Sequence, residues 1–214
     1  MPSSGSQRDR AYKGLKRLLV LQQVPAGQRL NEIDWANRLG VHRTALREAF
    51  ARLEAEGWIR LGPKTGYFVP HFTEDDILEI LEIRQALEGA AIDRICRLAL
   101  NTPGHLQPMQ QACTQLERLI GEDYLLGVAE ADRRFHEALV TASGNNQLVA
   151  VYQRAPLPMI HRELVDPVAW AETLRRTLSE HRSILDALLR GSAADAHRLL
   201  RTHLTERFLV PLRG

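Results

Sequence analysis

Three histidines and one aspartate in the second half of the chain have the residue types and the spacing of a metal site. Asp132 and His136 are four residues apart, so both side chains project from one face of a helix. His181 and His203 lie ten residues before and eleven residues after the Gly191–Ser192 break, so antiparallel helices joined there would bring the imidazoles together. Three imidazoles and one carboxylate suit a borderline divalent ion (Zn²⁺, Ni²⁺, Co²⁺ or Mn²⁺), with zinc as the default. Buried histidines are also commonly core residues satisfied by hydrogen bonds, so this second interpretation stays open.

A second set of side chains could bind DNA. Arg43, Thr44 and Arg47 share the outward face of a predicted helix, near its N-terminus. Arginine can form bidentate hydrogen bonds with guanine, and a threonine hydroxyl can bind a phosphate or a base edge. The alternative is that the two arginines are solvated charges four residues apart on an ordinary helix. The surrounding elements therefore decide between the two interpretations.

The residues around this face predict a helix, a tight turn and a second helix. Asn31 can cap the first helix, Gly40 stands where a helix needs a left-handed exit residue, and Val41 can fill the gap between the helices. The predicted inward residues of the first helix are Ile33, Trp35, Ala36 and Leu39. Those of the second helix are Ala45, Leu46, Ala49, Phe50 and Leu53. This arrangement sets a second helix into a DNA major groove.

A β-hairpin is predicted after the second helix. Two short apolar runs, residues 58–61 and 67–69, flank a glycine-rich tip. The tip residues Lys64, Thr65 and Gly66 could lie along a groove of the DNA. With a further helix over residues about 11–23, this pattern predicts a winged helix-turn-helix domain of three helices and a small β-hairpin.

The rest of the chain predicts an antiparallel all-α helical bundle. Thr73 followed by Asp76 is typical of a capped helix start, and the helix that begins there runs to about Leu100. Further helices are predicted at roughly 105–120, 123–143, 146–164, 168–190 and 193–210. Arg84 faces inward on the first of these helices, where it could bind a carboxylate or pair with Glu88.

The charge is distributed unevenly along the chain. Residues 1–70 hold 12 Lys and Arg against 6 Asp and Glu, whereas residues 71–214 hold 16 against 20. A basic first third suits the phosphate backbone of DNA. The chain shows no run of membrane-spanning length and no signal-peptide core, so we expect a cytoplasmic protein with no membrane partner. Cys96 and Cys113 lack the spacing of a disulfide framework and are expected to be free thiols.

The first third resembles the DNA-binding domain of the GntR family of bacterial transcription regulators. The matching residues are Pro25, Gly27, Leu30, Glu32, Ala36, Leu39, Gly40, Val41, Arg43, Thr44, Arg47, Glu48, Ala49, Leu53, Glu56, Gly57 and Gly66. The resemblance implies that Arg43, Thr44 and Arg47 contact DNA. His42 departs from the pattern, because the family has a serine there that caps the helix and can touch phosphate.

The second part resembles the effector-binding domain of the FadR subfamily, the FCD domain. The resemblance is carried by residues 132–145, by Glu180 and His181, by His203, and by residues 77–91 with Arg84 and Glu88. It implies that the aspartate and three histidines bind a metal ion. It also implies that a small organic acid binds in the same cavity. Arg84 and Asn145 are then candidate effector-binding residues, although Asn145 could instead cap the next helix.

Together the patterns and the two resemblances imply a dimeric transcription regulator that binds a palindromic operator and responds to a small carboxylate. The resemblance favours a repressor, because repression relieved by ligand is the commoner arrangement in the family. The expected boundaries are a disordered tail at 1–9, the winged helix-turn-helix at 10–70, a linker at 71–74 and the effector-binding domain at 75–214. A metal-dependent enzyme is the first alternative, but no H-E-x-x-H pattern supplies a general base beside the ligands. A DNA binder with a purely structural metal and no effector is the second.

Overall fold

The structure is a computed structural model, mainly helical with one small antiparallel sheet. It describes residues 6–20, 23–62, 66–122, 124–154 and 167–205. The chain divides into two compact units, one ending at Asp76 and the other beginning at Ile77. None of the helices in these described stretches combines the length and apolar character needed to cross a bilayer.

The first unit has the winged helix-turn-helix architecture that the sequence predicts. Its elements are α1 (Gln7–Val20), β1 (Arg29–Leu30), α2 (Glu32–Leu39), α3 (Arg43–Ala55), β2 (Arg60–Leu61) and β3 (Tyr67–Phe68). One core joins them, in which Leu15, Leu30, Leu46, Phe50 and Ile59 are almost completely buried. Burying each such side chain stabilises the fold by about 1.5–3 kcal/mol. The core thereby fixes α3 against α1 and α2.

The turn between α2 and α3 has the predicted local chemistry. The Asn31 side chain accepts a hydrogen bond from the backbone N–H of Ile33 at 2.8 Å, and Gly40 adopts the left-handed conformation with φ 61°. Val41 packs against the core. The prediction that Ile33 points inward is wrong, because its side chain is 51% exposed. Trp35 and Ala36 define the buried face of this short helix, and Ile33 lies about 2.5 residues before the middle of that face, which places it roughly 110° away around the helix.

The sheet has three strands, one more than the predicted hairpin. The order is β1-β3-β2, and Phe68 of the central strand lies opposite both Arg29 and Arg60. The β2–β3 hairpin is confirmed. β1 has only two residues, which is too short for the alternation of apolar and polar residues that identifies a strand in a sequence.

The predicted disordered tail at 1–9 is partly wrong, because α1 begins at Gln7. The Ser6 hydroxyl accepts a hydrogen bond from the backbone N–H of Asp9 at 3.2 Å and donates one to the Asp9 carboxylate at 3.0 Å. Such a cap satisfies backbone donors that a helix start leaves unpaired. The short polar stretch therefore contains a helix start, and residues 1–5 lie outside the described part of the chain.

The second unit consists of helices. They are α4 (Glu74–Arg97), α5 (Gln107–Gly121), α6 (Leu125–Ala142), α7 (Asn146–Tyr152), α8 (Pro167–Leu189) and α9 (Ala193–Thr205). α5 packs on α6 and α8, and α8 packs on α9. Thr73 and Asp76 form a reciprocal capping box at the start of α4, with Thr73 Oγ1 and the Asp76 carboxylate 2.7 Å apart. This confirms the predicted helix start.

Two details of the bundle differ from expectation. α7 ends at Tyr152, well before the predicted end at 164, and Pro156 and Pro158 of that predicted helix lie outside the described residues. α4 ends at Arg97, a few residues before its predicted end near Leu100, and Leu98 just beyond it is 43% exposed. Cys96 and Cys113 are free thiols as predicted, and burial raises the pKa of Cys113 to about 11.

The left-handed turn predicts a specific stability cost for Gly40→Ala. A Cβ there would meet no atom of the described residues within 4 Å, so the penalty is conformational rather than steric. We expect the free energy of unfolding to fall by about 1–2 kcal/mol. Urea unfolding followed by fluorescence is suitable, because Trp35 and Trp58 both lie in this unit. Gly104→Ala is the control, because its site is equally open but does not need a positive φ. Equal stability of the two variants would contradict the role assigned to Gly40.

Candidate nucleic-acid interface and metal centre

The predicted DNA-reading side chains lie on the exposed face of α3. Arg43 and Arg47 have side-chain exposures of 57% and 61%, and Thr44 between them is also exposed. The opposite face of the helix carries the buried residues Leu46, Ala49, Phe50 and Leu53. The helix is therefore anchored on one side and presents two guanidinium groups and a hydroxyl on the other.

A carboxylate from the preceding helix contacts both arginines. Arg47 Nε donates to Glu32 Oε2 at 2.8 Å, and Arg43 Nη2 lies 3.5 Å from the same oxygen. Sequence reasoning included Glu32 only as a family match. No local sequence pattern predicts this contact, because Glu32 is 11 residues from Arg43 and 15 residues from Arg47 and belongs to another helix.

His42 occupies the N-cap position of α3 without capping it through its side chain. Its backbone N–H instead donates to the Gln7 side chain at 2.9 Å, and the imidazole is exposed. Arg10 adds a hydrogen bond to the carbonyl oxygen of Gly40 at 3.4 Å. The start of α1 therefore secures the turn that precedes α3.

The predicted wing tip is described only in part. Lys64 and Thr65 lie outside the described residues, so their DNA contacts stay predictions. Gly66 has φ 114°, and a Cβ there would come within 3.0 Å of the Arg29 guanidinium. Glycine is therefore favoured mainly by the positive φ, because the flexible Arg29 side chain would need to shift by only a few tenths of an ångström to admit a Cβ. Arg29 places an additional exposed cation beside the wing.

The second unit brings the four predicted metal ligands together. Asp132 and His136 lie on α6, His181 on α8 and His203 on α9, and one ligand atom from each lies within 4.8 Å of all the others. His203 Nε2 is 3.1 Å from His136 Nε2 and 3.3 Å from His181 Nε2. His181 Nε2 is 3.5 Å from an Asp132 carboxylate oxygen. The predicted juxtaposition of His181 and His203 is therefore confirmed.

These separations fit a shared metal ion. Ligand atoms about 2.1 Å from an ion are about 3.0 Å apart at a right angle and about 3.4 Å apart at a tetrahedral angle. The observed distances of 3.1, 3.3 and 3.5 Å match that range. The three histidines are also almost completely buried. Three imidazole nitrogens and a carboxylate oxygen are the donors that a borderline divalent ion prefers.

Two further carboxylates orient the imidazoles. The Nδ1 atom of His136 lies 2.7 Å from Glu88 Oε2, and that of His203 lies 2.8 Å from Glu180 Oε2. A carboxylate is an acceptor only, so each contact assigns the proton to Nδ1 and directs the Nε2 lone pair to the centre. The Phe135 ring stacks on His181 with centroids 3.9 Å apart, which fixes that imidazole plane. Sequence reasoning missed these orienting roles, because each pair joins different helices.

Glu88 is the centre of a buried charge network. It accepts hydrogen bonds from Arg84 Nε at 3.0 Å and from the Tyr152 hydroxyl at 2.8 Å. Burial alone would raise the pKa of the Glu88 carboxyl, but His136 and Arg84 outweigh it and lower that pKa to about 2. Burial and the Glu88 charge together raise the pKa of Tyr152 well above its ordinary value. Glu88 is therefore the charged acceptor and Tyr152 the neutral donor.

The two predicted effector-binding residues have different surroundings. Arg84 forms the expected ion pair with Glu88, yet its buried Nη2 atom has no hydrogen-bond partner in the described part of the protein. The Asn145 side chain accepts hydrogen bonds from the backbone N–H groups of Gln147 and Leu148. The capping interpretation of Asn145 is confirmed, while its effector role stays a prediction.

Three further histidines of the described residues lie away from the cluster. His105 Nε2 is 2.7 Å from the carbonyl oxygen of Ala142, and His197 Nε2 is 2.7 Å from an Asp93 carboxylate oxygen. His71 is exposed, and His161 lies outside the described residues. His105 and His197 therefore contact groups outside the cluster, and His71 lies at the surface.

Comparison with known proteins identifies both units. The profile of the gntR family of bacterial regulatory proteins matches residues 7–69, and that of the FCD domain matches residues 79–206. An HTH-type transcriptional regulator from the TAR-I ttuE-ttuC' intergenic region of Agrobacterium vitis is 33% identical over 142 residues, which cover 66% of this chain and 83% of that protein. The probable D-xylose utilization operon transcriptional repressor of Paenarthrobacter nicotinovorans is 28% identical over 186 residues, or 85% of this chain and 78% of the relative.

Solved structures show the same fold. McbR/YncC of E. coli superposes with a TM-score of 0.69 at 22% identity, covering 95% of both chains. The transcriptional regulator GntR from Rhodococcus sp. RHA1 gives a TM-score of 0.64 at 24% identity, covering 95% of this chain and 96% of that one. These families comprise regulators rather than enzymes, as the sequence predicts. The chain therefore belongs to the GntR family of DNA-binding bacterial transcription regulators and carries an FCD domain.

Proposed function

We propose that this regulator is a repressor that binds a palindromic operator as a homodimer and releases it when a small carboxylate binds in the FCD domain. The DNA contacts are assigned to Arg43, Thr44, Arg47 and His42 of the helix-turn-helix and to Lys64, Thr65 and Gly66 of the wing. A divalent ion, zinc by default, is held by Asp132, His136, His181 and His203. The observation that carries the sensory half is the convergence of three buried, pre-oriented Nε2 atoms and one carboxylate.

The exposed face of α3 supports base reading. Arg43 and Arg47 are one helical turn apart, and arginine can donate two parallel hydrogen bonds to guanine. Each chain presents a single recognition helix, and one such module alone rarely supplies enough affinity or specificity. Two copies related by a two-fold axis would read two half-sites, which gives the operator its palindromic symmetry. A relative named as a probable repressor agrees with the assigned direction of regulation.

The chemistry of the cluster supports a carboxylate effector. An octahedral divalent ion with four protein ligands keeps two positions open, and a hard carboxylate oxygen can take them. The bound ion supplies positive charge in a buried site. Arg84 contributes its Nη2 donor, which has no hydrogen-bond partner among the described residues, and its charge is held in place by Glu88. The remaining donor capacity of the guanidinium suits one carboxylate group.

Effector binding would act on the operator through a coupling free energy. Values of about 1–3 kcal/mol are typical, so the acid would weaken DNA binding by roughly 5- to 150-fold. Reciprocity requires that operator DNA weaken acid binding by the same factor. A purely structural metal would give no such coupling, so the two possibilities differ in a measurable quantity.

Arg47→Ala tests the recognition helix. We expect operator affinity to fall by about 1–3 kcal/mol, because a bidentate contact to guanine is lost. The measurement is fluorescence anisotropy with a duplex that the full-length protein has enriched from a random pool. Arg118→Ala is the control, since Arg118 is an exposed arginine of the FCD domain that pairs with Glu122. An Arg47→Ala protein with unchanged affinity and sequence preference would refute the assignment.

Removing two imidazoles tests the metal centre. The double variant His136→Ala with His203→Ala should retain no divalent ion after dialysis, because half of the four ligands are lost. Elemental analysis of the purified protein measures the bound metal directly. His197→Ala serves as the control, since that histidine contacts Asp93 away from the cluster. Full metal occupancy in the double variant would show that the ligand set is wrong.

Arg84→Lys tests the effector contact without removing the buried positive charge. Lysine lacks the planar fork of arginine, so we expect the metal to be retained while stabilisation by organic acids is lost. A thermal-shift screen of small carboxylates, with and without a chelator, measures how the melting temperature depends on the acid and on the metal. In the wild-type protein an acid should raise the melting temperature only when metal is present. If no acid changes the melting temperature of the wild-type protein, the alternative of a purely structural metal is favoured.

A further inference from the structure

Glu32 connects the two arginines assigned to base reading. A single oxygen, Oε2, lies 2.8 Å from Arg47 Nε and 3.5 Å from Arg43 Nη2. The Glu32 side chain is 27% exposed, whereas those of Arg43 and Arg47 are 57% and 61% exposed. The carboxylate is thus the less exposed member of the group, and the guanidinium groups extend past it toward solvent.

The position of Glu32 is fixed by the helix that carries it. Glu32 is the first residue of α2, directly after the Asn31 cap, and a carboxylate is favoured at a helix N-terminus. α2 itself is held against α3 by its buried residue Trp35. The carboxylate therefore belongs to the rigid frame of the domain, and the long arginine side chains are ordered by it.

This contact leaves the arginines able to read bases. A guanidinium has five N–H donors, and Arg47 uses its Nε–H for Glu32. Its two terminal nitrogens stay available for a bidentate contact to guanine. Ordering the side chain before binding reduces the rotamer entropy that the protein–DNA complex would otherwise lose.

The same carboxylate opposes non-specific binding. Non-specific affinity for DNA comes from cations near phosphates, and a negative charge beside two cations reduces that attraction. At a matching operator, correctly placed hydrogen bonds to bases compensate for the weaker attraction to phosphates. At other sequences those hydrogen bonds are missing, so the weaker attraction lowers the affinity.

We propose that Glu32 is a positioning residue that determines the sequence specificity of Arg43 and Arg47. It aligns both guanidinium groups for base reading and weakens their attraction for DNA of any sequence. This inference rests on the proposed recognition surface of α3. It predicts that Glu32 contributes to discrimination between sequences more than to affinity.

The test compares full-length wild-type protein with Glu32→Gln. The probes are the duplex that the wild type enriches from a random pool and a scrambled duplex of the same composition, each titrated over a range of salt concentrations. We expect affinity for the enriched duplex to fall about tenfold, a loss comparable to one mismatched base pair. Affinity for the scrambled duplex should rise, because the carboxylate no longer weakens the attraction of the two cations for phosphates, and the salt slope should not change, since the same cations meet phosphates.

Two further variants separate position from charge. Glu48→Gln removes a carboxylate from α3 itself, but that carboxylate pairs with Arg8. Its ratio of specific to non-specific affinity should stay close to that of the wild type. Glu32→Asp keeps the charge on a shorter side chain, so it should also lose discrimination.

Each outcome decides the proposal. Equal loss on both duplexes together with a lower melting temperature would show a structural role only, and would overturn it. The proposal would also be overturned if Glu32→Gln left the ratio of specific to non-specific affinity unchanged. Equal changes of that ratio in Glu32→Gln and Glu48→Gln would overturn it as well. If the wild type enriches no sequence, the recognition surface fails and this inference fails with it. If Arg47→Ala loses specificity while Glu32→Gln does not, only the role of Glu32 is refuted.

Discussion

Carboxylates on neighbouring helices orient the nitrogen donors of both functional regions, and both sites depend on this interaction. Glu32 of α2 orders two arginines of α3, Glu88 of α4 orients His136 of α6, and Glu180 of α8 orients His203 of α9. In each case an acceptor-only group holds one N–H of its partner and leaves another nitrogen of that side chain available for the proposed ligand. Rigid helices can therefore present flexible or rotatable side chains in one geometry before anything binds.

The charge buried around Glu88 explains why the helices of the FCD domain are tied to each other at this point. Removing a carboxylate from water is costly, and the cost is offset only when its acceptor sites are filled by good donors. Glu88 receives donors from Arg84 on its own helix, from Tyr152 on α7 and from His136 on α6. Losing the charged Arg84 would leave a buried charge uncompensated, which typically costs about 3–5 kcal/mol. Losing the hydrogen bond from Tyr152 or His136 would cost about 1.5–3 kcal/mol. The proposed metal site and the stability of the bundle are therefore linked through one residue.

Local patterns in the sequence predicted the helices and their ends well. The caps at Asn31 and Thr73 and the left-handed Gly40 are decided by residues within a few positions, so they could be recognised without a structure. The meeting of His181 and His203 also followed, because a short break fixes the register of antiparallel neighbours. Contacts between helices distant in sequence gave no such signal, and the roles of Glu32, Glu88 and Glu180 were missed for that reason. The exposure of Ile33 was mispredicted because a helix of two turns has too few residues to define one buried face.

The start of α3 shows how a departure from the family pattern can be accommodated. In a capping box the third helical residue accepts a hydrogen bond from the N-cap backbone N–H, but here that residue is Ala45, which has no acceptor. Gln7 of α1 accepts this hydrogen bond instead, from 35 residues away. The His42 side chain makes no cap hydrogen bond, and its imidazole is exposed. Gln7 satisfies the backbone N–H of His42 and not the N–H groups of the first helical residues, which a serine side chain at the N-cap would bind. α1 therefore holds the backbone at the start of α3 without any contribution from the residue 42 side chain, which the proposed function assigns to DNA.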